Sequence, residues 1–285
     1  MNILVTGGNG QLGCSIKKIS TQYPAHKFLF TDVPEVDITD LNLLQDLVKK
    51  ESIGAIINCA AFTAVDKAED CQELAAKINI DGPKNLAIAA HEVGAKLVHI
   101  STDYVFGGKS SLPLKESDET APIGVYGKTK RAGEIEVEKT GCDAIVIRTA
   151  WLYSEYGNNF VKTMLRLGHE RESLNVVYDQ IGTPTYATDL AYAIMTLLEK
   201  GFKGFDTYHF SNEGVISWYD FTKAIFEIAG YKTTVGAIES YEYPTKAERP
   251  AYSVLNKKKI KTAGVKVPYW KDSLKECMSI LLAEK

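Results

Sequence analysis

The apolar run from Asn2 to Thr6, NILVT, passes directly into GGNGQLG, and a helical pattern follows over residues 11–21. A run without polar alternation suits a strand buried on both faces of a parallel sheet. Glycines at its end allow a tight turn and let a ligand lie against the backbone. Gly7, Gly10 and Gly13 keep a G-x-x-G-x-x-G spacing, and Gly8, Gly10 and Gly13 a G-x-G-x-x-G spacing. A helix starting there offers free N–H groups and the positive end of its dipole to a pyrophosphate. The triplet alone is weak, but between a strand and a helix it predicts a dinucleotide-binding turn.

The same unit recurs along the chain. A second strand over residues 27–31 ends at Asp32, nineteen residues beyond Gly13. An acid there accepts hydrogen bonds from an adenosine ribose and favours a free 2′-hydroxyl over a 2′-phosphate. No arginine adjoins Asp32 or the glycine turn, so NADH is expected at least as readily as NADPH. In VDITD, Asp37 and Asp40 flank a helix start, and Asp37 and Ile38 could line the adenine. A third strand, 55–59, feeds Ala60 and Ala61, small enough for a cofactor to lie close. Helical sequence then runs to Val93, interrupted at Gly82-Pro83 and capped by Gly94. Asn79 lies within it and needs a polar partner, backbone or substrate. A fourth strand, 96–101, leads to Thr102 and Asp103, and a fifth covers 144–149.

This alternation predicts an α/β fold: a doubly wound parallel sheet of Rossmann type, with a smaller, mostly helical C-terminal domain. Residues 1–150 form the dinucleotide-binding domain, with 172–213 returning to it. Residues 151–171 and 214–285 form the substrate domain. FDTYHFS reads as a strand returning to the sheet edge. Aromatic residues gather after Trp218, where core or helix-docking roles are expected for most of them.

The chemistry is expected in STDYVFGGKSSLPLKESDETAPIGVYGKTK, residues 101–130. If the segment opening at Tyr126 is helical, Tyr126 and Lys130 share one face a turn apart. A free tyrosine is ionised in only about one molecule in a thousand at neutral pH, and a neighbouring cation is expected to lower its pKa. Such a tyrosine can pass a proton to or from a carbonyl oxygen. Thr102 could hold the same oxygen. Because all strand ends of a doubly wound sheet face one crevice, Thr102, Tyr126 and Lys130 should meet the glycine turn there.

Composition narrows the class further. The chain has 285 residues, 45% of them apolar, and a net charge of −3, which argues against a nucleic-acid surface. The run Lys257-Lys258-Lys259 reads as a solvated helix face. Five cysteines without a CxxC pair read as reduced, mostly buried thiols. With a strand opening at Asn2 and no charged leader, the protein is expected to be cytoplasmic. The longest plain apolar stretch, near 190–198, is too short to cross a bilayer, so no membrane association is expected.

With these residues in view, the chain resembles the extended short-chain dehydrogenase/reductases and, among them, the dTDP-4-dehydrorhamnose reductases. The likeness runs nearly end to end through GGNGQLG, VDITD, NCAAFTAVDKAE, STDYVFGG, YGKTK, RTAWLY, NNFVKTMLRLG, DQIGTPT and RPAYSVLN. It implies that Tyr126 is the proton donor, Lys130 holds the cofactor ribose, and Thr102 orients the 4-keto oxygen. Asp103 and Trp151 would contact the sugar. Gly10, Gln11 and Leu12 would hold the pyrophosphate, Asp32, Asp37 and Ile38 the adenosine end, and Ala61, Phe62 and Thr63 the nicotinamide half. Arg249 is read from the residues either as a clamp on the substrate diphosphate or as a surface arginine. The implied reaction reduces dTDP-4-dehydro-L-rhamnose to dTDP-L-rhamnose with NADH or NADPH.

Some members of that family dimerise around magnesium held by glutamates, and the matching positions here are Ser15 and Thr188, poor ligands for a hard cation. The expectation is therefore a metal-independent enzyme, a monomer or weak homodimer. Two other readings stay open: a nucleotide-sugar epimerase that retains its NAD, and a reductase-like regulatory subunit.

Overall fold

A computed structural model of the chain describes residues 1–283. Its centre is a six-stranded sheet formed by β1 (Asn2–Thr6), β2 (Lys27–Thr31), β3 (Ile53–Asn58), β4 (Lys96–Thr102), β5 (Ala144–Thr149) and β6 (Phe205–His209). The order is β2-β1-β3-β4-β5-β6, and every pairing is parallel. The chain moves outward from β1 to β2 and then crosses to β3, so the order reverses between β1 and β3. Ligands of such sheets bind in the crevice beyond the strand ends at that reversal.

Both faces of the sheet are covered, which is why its strands read as unbroken apolar runs. Ile3 and Val5 of β1 join Ile57 of β3 in a core under α1 (Gln11–Ile19) and the helix Ala187–Lys200. Leu4 and Ile56 point the other way, against α2 (Leu41–Lys50) and α3 (Gly82–Val93). FDTYHFS does return to the edge, as β6. The 172–213 segment divides: Ala187–Lys200 and β6 join the sheet layer, whereas Ser173–Val177 pairs with Thr234–Ile238. That pair, with helices Phe160–Glu170, Trp218–Ala229 and Trp270–Ala283, encloses a second core around Tyr153, Phe221, Leu274 and Met278.

Three expectations change. The helical break at Gly82-Pro83 is a π turn, Lys77–Asp81, joining two helical stretches without interruption. Pro83 has no N–H to give the carbonyl of Asn79, four residues back. α4 (Val125–Lys139) crosses there so closely that a Cβ on Gly133 would lie 2.1 Å from that carbonyl oxygen. The three-lysine run is not a wholly solvated face, because Lys257 is buried and donates to the carbonyl of Asn212 at 3.3 Å. Lys259 pairs with Asp206. Of the five free cysteines only Cys142 and Cys277 are buried; Cys71 is exposed.

Candidate active site

The crevice is a cleft of about 800 Å³ running from the glycine turn to Trp151. At one end Gly7 takes φ +66, and a Cβ there would come within 2.7 Å of the Ala60 nitrogen. Only glycine lets the β1 and β3 loops pass this closely. The start of α1 has no side-chain cap, and Gly10, Gln11 and Leu12 line the cleft at that point. Uncapped first-turn N–H groups there are donors for a phosphate.

Asp32, Asp37 and Ile38 line the same end. The Asp32 carboxylate accepts from the N–H groups of Asn9 and Val33, both at 2.9 Å, so it is fixed by the loops it joins. The backbone and hydroxyl of Thr39 hold the Asp37 carboxyl below its usual range.

Ala60, Ala61 and Thr63 line the middle. Phe62 is not a lining residue; its backbone is gripped by Asn79. Asn79 therefore finds its partner in backbone, and a third hydrogen bond, to Thr129 Oγ1 at 3.2 Å, ties it to α4.

Beyond this loop stand Thr102 and Asp103 from the end of β4, Tyr126 and Lys130 from α4, and Trp151 from the end of β5. The expected convergence is present, but its electrostatics differ. Tyr126 is not acidified: burial pushes its phenol up to about 12, against a hydrogen bond with Thr102 that works the other way. Lys130 is itself buried, which brings it down to about 8, against the pull of the Glu134 carboxylate. Its Nζ donates to the carbonyl of Ile100 at 2.7 Å and lies 3.5 Å from His99 Nε2. A lysine deprived of water and committed to a carbonyl gives little help to a phenolate. Thr102 donates to Asp103 Oδ1 at 3.0 Å and accepts from the Tyr104 N–H at 3.2 Å. Burial raises Asp103 to about 6, against hydrogen bonds from Ser253 and Thr102.

Trp151 takes φ +48, a conformation rare for a non-glycine residue. It stacks on Trp218 with ring centroids 3.6 Å apart, and a Cβ on Gly182 would meet its ring at 2.7 Å. Arg249 does not line the cleft. Its guanidinium donates to Asp66 Oδ2 at 2.7 Å, and Asp66 also accepts from the Ala247 N–H at 3.0 Å.

The buried polar residues behind the cleft were not singled out in the sequence. Asn58 and His99 are adjacent on β3 and β4, Asn58 reaches Thr6 of β1, and all three are buried. Polar residues near the ends of otherwise apolar strands are the signal that marks them.

The parallel sheet, its order and the glycine turn define a Rossmann-type dinucleotide-binding fold, and Tyr126 and Lys130 a turn apart in its cleft are the pattern of a short-chain dehydrogenase/reductase. Comparison with known proteins narrows this. A family model described as the RmlD substrate binding domain matches residues 1–282, and the chain belongs to that family, the dTDP-4-dehydrorhamnose reductases. It is 41% identical to the dTDP-4-dehydrorhamnose reductase of Aggregatibacter actinomycetemcomitans, over 96% of this chain and 97% of that protein. A crystal structure of a dTDP-4-dehydrorhamnose reductase from Clostridium acetobutylicum is similar at TM-score 0.95 and 44% identity, covering 99% of this chain and 100% of that one. One from Bacillus anthracis, in complex with NADP, is similar at TM-score 0.94 and 41% identity, covering 98% and 99%.

Proposed function

We propose that the chain reduces the 4-keto group of dTDP-4-dehydro-L-rhamnose to give dTDP-L-rhamnose, drawing on NADH or NADPH. The observation that carries this is the meeting of Tyr126, Lys130 and Thr102 with the glycine turn in one cleft. The cleft suits a dinucleotide: the glycine turn leaves backbone space, α1 offers uncapped N–H groups, and an acid stands at the end of β2. Gly7, Gly10, Gln11 and Leu12 would hold the pyrophosphate, Asp32, Asp37 and Ile38 the adenosine, and Ala60, Ala61 and Thr63 the nicotinamide half. Phe62 contributes through its backbone. Bound there, the reduced nicotinamide supplies the hydride for C4 of the sugar.

The residues of the chain handle the proton. Tyr126, pushed up to about 12, remains a phenol at neutral pH and so holds the proton a reduction consumes. Hydride arrival turns the ketone oxygen toward an alkoxide, a far stronger base than a phenolate, so transfer from Tyr126 Oη runs downhill. Solvent later returns a proton to the phenolate. Lys130 would meet the cofactor ribose, and Thr102 would turn its hydroxyl from Asp103 to the keto oxygen. Asp103 and Trp151 would take the sugar. Arg249 could reach the diphosphate only by exchanging Asp66 for it.

On this reading the sheet layer is the cofactor half and the layer around Phe221 the substrate half. No helix among the described residues is long and apolar enough to cross a membrane. We place the enzyme in the cytoplasm, as a monomer or weak homodimer. Ser15 and Thr188 are buried and lack carboxylates, so no metal is assigned. The names of the relatives favour the reductase over the epimerase and the regulatory subunit.

The test is cofactor oxidation with dTDP-4-dehydro-L-rhamnose, using each nicotinamide, with and without chelator. One cofactor oxidised per dTDP-L-rhamnose formed, unaffected by chelator, is expected. A tightly retained cofactor without net consumption would point to an epimerase.

A further inference from the structure

His99 lies behind Lys130 in a buried network whose hydrogen positions can be worked out. The Ala60 backbone N–H is an obligatory donor, and it meets Asn58 Oδ1 at 3.1 Å. Thr6 Oγ1 donates to the same oxygen at 2.8 Å. The Asn58 amide is thereby oriented, and its Nδ2 faces His99 Nδ1 at 3.0 Å. An NH₂ group has only protons to give, so Nδ1 must be the bare nitrogen. A neutral imidazole with a bare Nδ1 carries its proton on Nε2. That nitrogen lies 3.5 Å from Lys130 Nζ.

We propose that His99 is a positioning residue for Lys130: Asn58 locks it as the Nε2–H tautomer, and it opposes the full protonation of the lysine. An ammonium has three donors and no acceptor, so an N–H aimed at it is repelled. A neutral amine has a lone pair that accepts that N–H while its own N–H serves Ile100. Burial keeps the imidazole neutral, with its pKa well below the usual range. The charge acting on this lysine from its own helix is that of Glu134; Tyr126 of the same helix, Thr102 at the end of β4 and Asp103 just beyond it line the same cleft, and Arg148 of β5 pairs with Glu134. Arg148 and Glu134 close on each other through two hydrogen bonds, at 2.9 and 2.7 Å. Arg131 also donates to Glu134 Oε2 at 3.0 Å, so that carboxylate is shared by two guanidiniums, while His99 Nε2 stands 3.5 Å from Nζ. If Lys130 acts as proposed above, the alkaline limb of the rate profile follows this group.

The assignment is tested on cofactor-free protein, without turnover. Protein carrying [ε-¹³C]lysine is titrated by NMR, with the Lys130 signal identified by its loss in Lys130→Arg. The expected midpoint is about 8. In His99→Gln an amide oxygen can face Nζ, and the midpoint should rise by about one pH unit. The alkaline limb of kcat should move up with it. An unmoved midpoint in folded His99→Gln overturns the proposal. Should that variant not fold, the long-range ¹⁵N–¹H pattern of wild-type His99 decides: a bare Nδ1 supports the assignment and a protonated Nδ1 overturns it. This inference rests on the reductase reading only for its effect on rate. If Tyr126→Phe kept full turnover, the catalytic reading would fail while the Lys130 titration still judged His99.

Discussion

Asn79 holds both polar groups of Phe62: its Oδ1 accepts the Phe62 N–H at 2.8 Å, and its Nδ2 donates to the Phe62 carbonyl at 3.1 Å. A side-chain amide here takes the place of a neighbouring strand. The loop that lines the middle of the cleft has its shape fixed from a helix behind it. Asn79→Ala would remove the partner of the part-buried N–H and carbonyl of Phe62, with an expected loss of about 0.5–1.5 kcal/mol of stability per bond. Urea unfolding measures this. Cofactor titration of the same variant should show weaker binding, because the loop is released. Unchanged affinity would confine Asn79 to a folding role.

Asp103 gives the protein a pH dependence on the acid side. Raised to about 6 by burial, its carboxyl charges across the range in which the enzyme would be assayed. If Asp103 accepts from a sugar hydroxyl as proposed, it does so more strongly when ionised, so kcat/KM should fall as pH drops through about 6. The sign for stability is opposite. The folded pKa lies above the unfolded value of about 3.9. The Asp103 contribution is therefore fully present below that unfolded value and is lost as pH rises through about 6. Asp103→Asn should remove the acid limb. A limb that persisted unchanged in this variant would assign it to another group.

Trp218 supports Trp151 from behind, with the two rings within 12° of parallel. Without that stack the left-handed backbone at Trp151 loses its counterpart. An aromatic pair contributes about 0.5–1.5 kcal/mol beyond its buried area, or roughly 2- to 13-fold in affinity. Trp218→Ala should raise the KM for the sugar nucleotide by such a factor, with cofactor affinity unchanged. Equal loss of both affinities would show general damage to the fold.

Much of the fold was legible because buried parallel strands write themselves as uninterrupted apolar runs. The ranges read for β1, β2 and β5 coincide with those observed, and β3 and β4 differ by one or two residues at their ends. The cleft was legible because its parts fall at strand ends in a fixed order. What could not be read depends on register or on distant pairing. Nothing in the sequence says that Asn58 and His99 lie side by side, which requires the β3–β4 alignment. Arg249 had the composition of a phosphate clamp, but its partner Asp66 lies 183 residues away. The spacing of Tyr126 and Lys130 was right and the sign of the phenol shift was wrong, because burial, which no local pattern reports, raises the phenol, and Lys130 donates to the Ile100 carbonyl. Lys257 was misread for a related reason: the run around it is polar, while the carbonyl it caps comes from a remote loop.

The central claim is that Tyr126 delivers the proton while a nicotinamide delivers the hydride to the same carbonyl. Tyr126→Phe tests it most directly, because the substitution removes one oxygen and keeps the ring. With dTDP-4-dehydro-L-rhamnose and saturating cofactor, kcat should fall by roughly 10²- to 10⁴-fold. Cofactor affinity, measured by titration, should stay within a few fold of wild type. Turnover at the wild-type rate by a folded, cofactor-binding Tyr126→Phe protein would contradict the account.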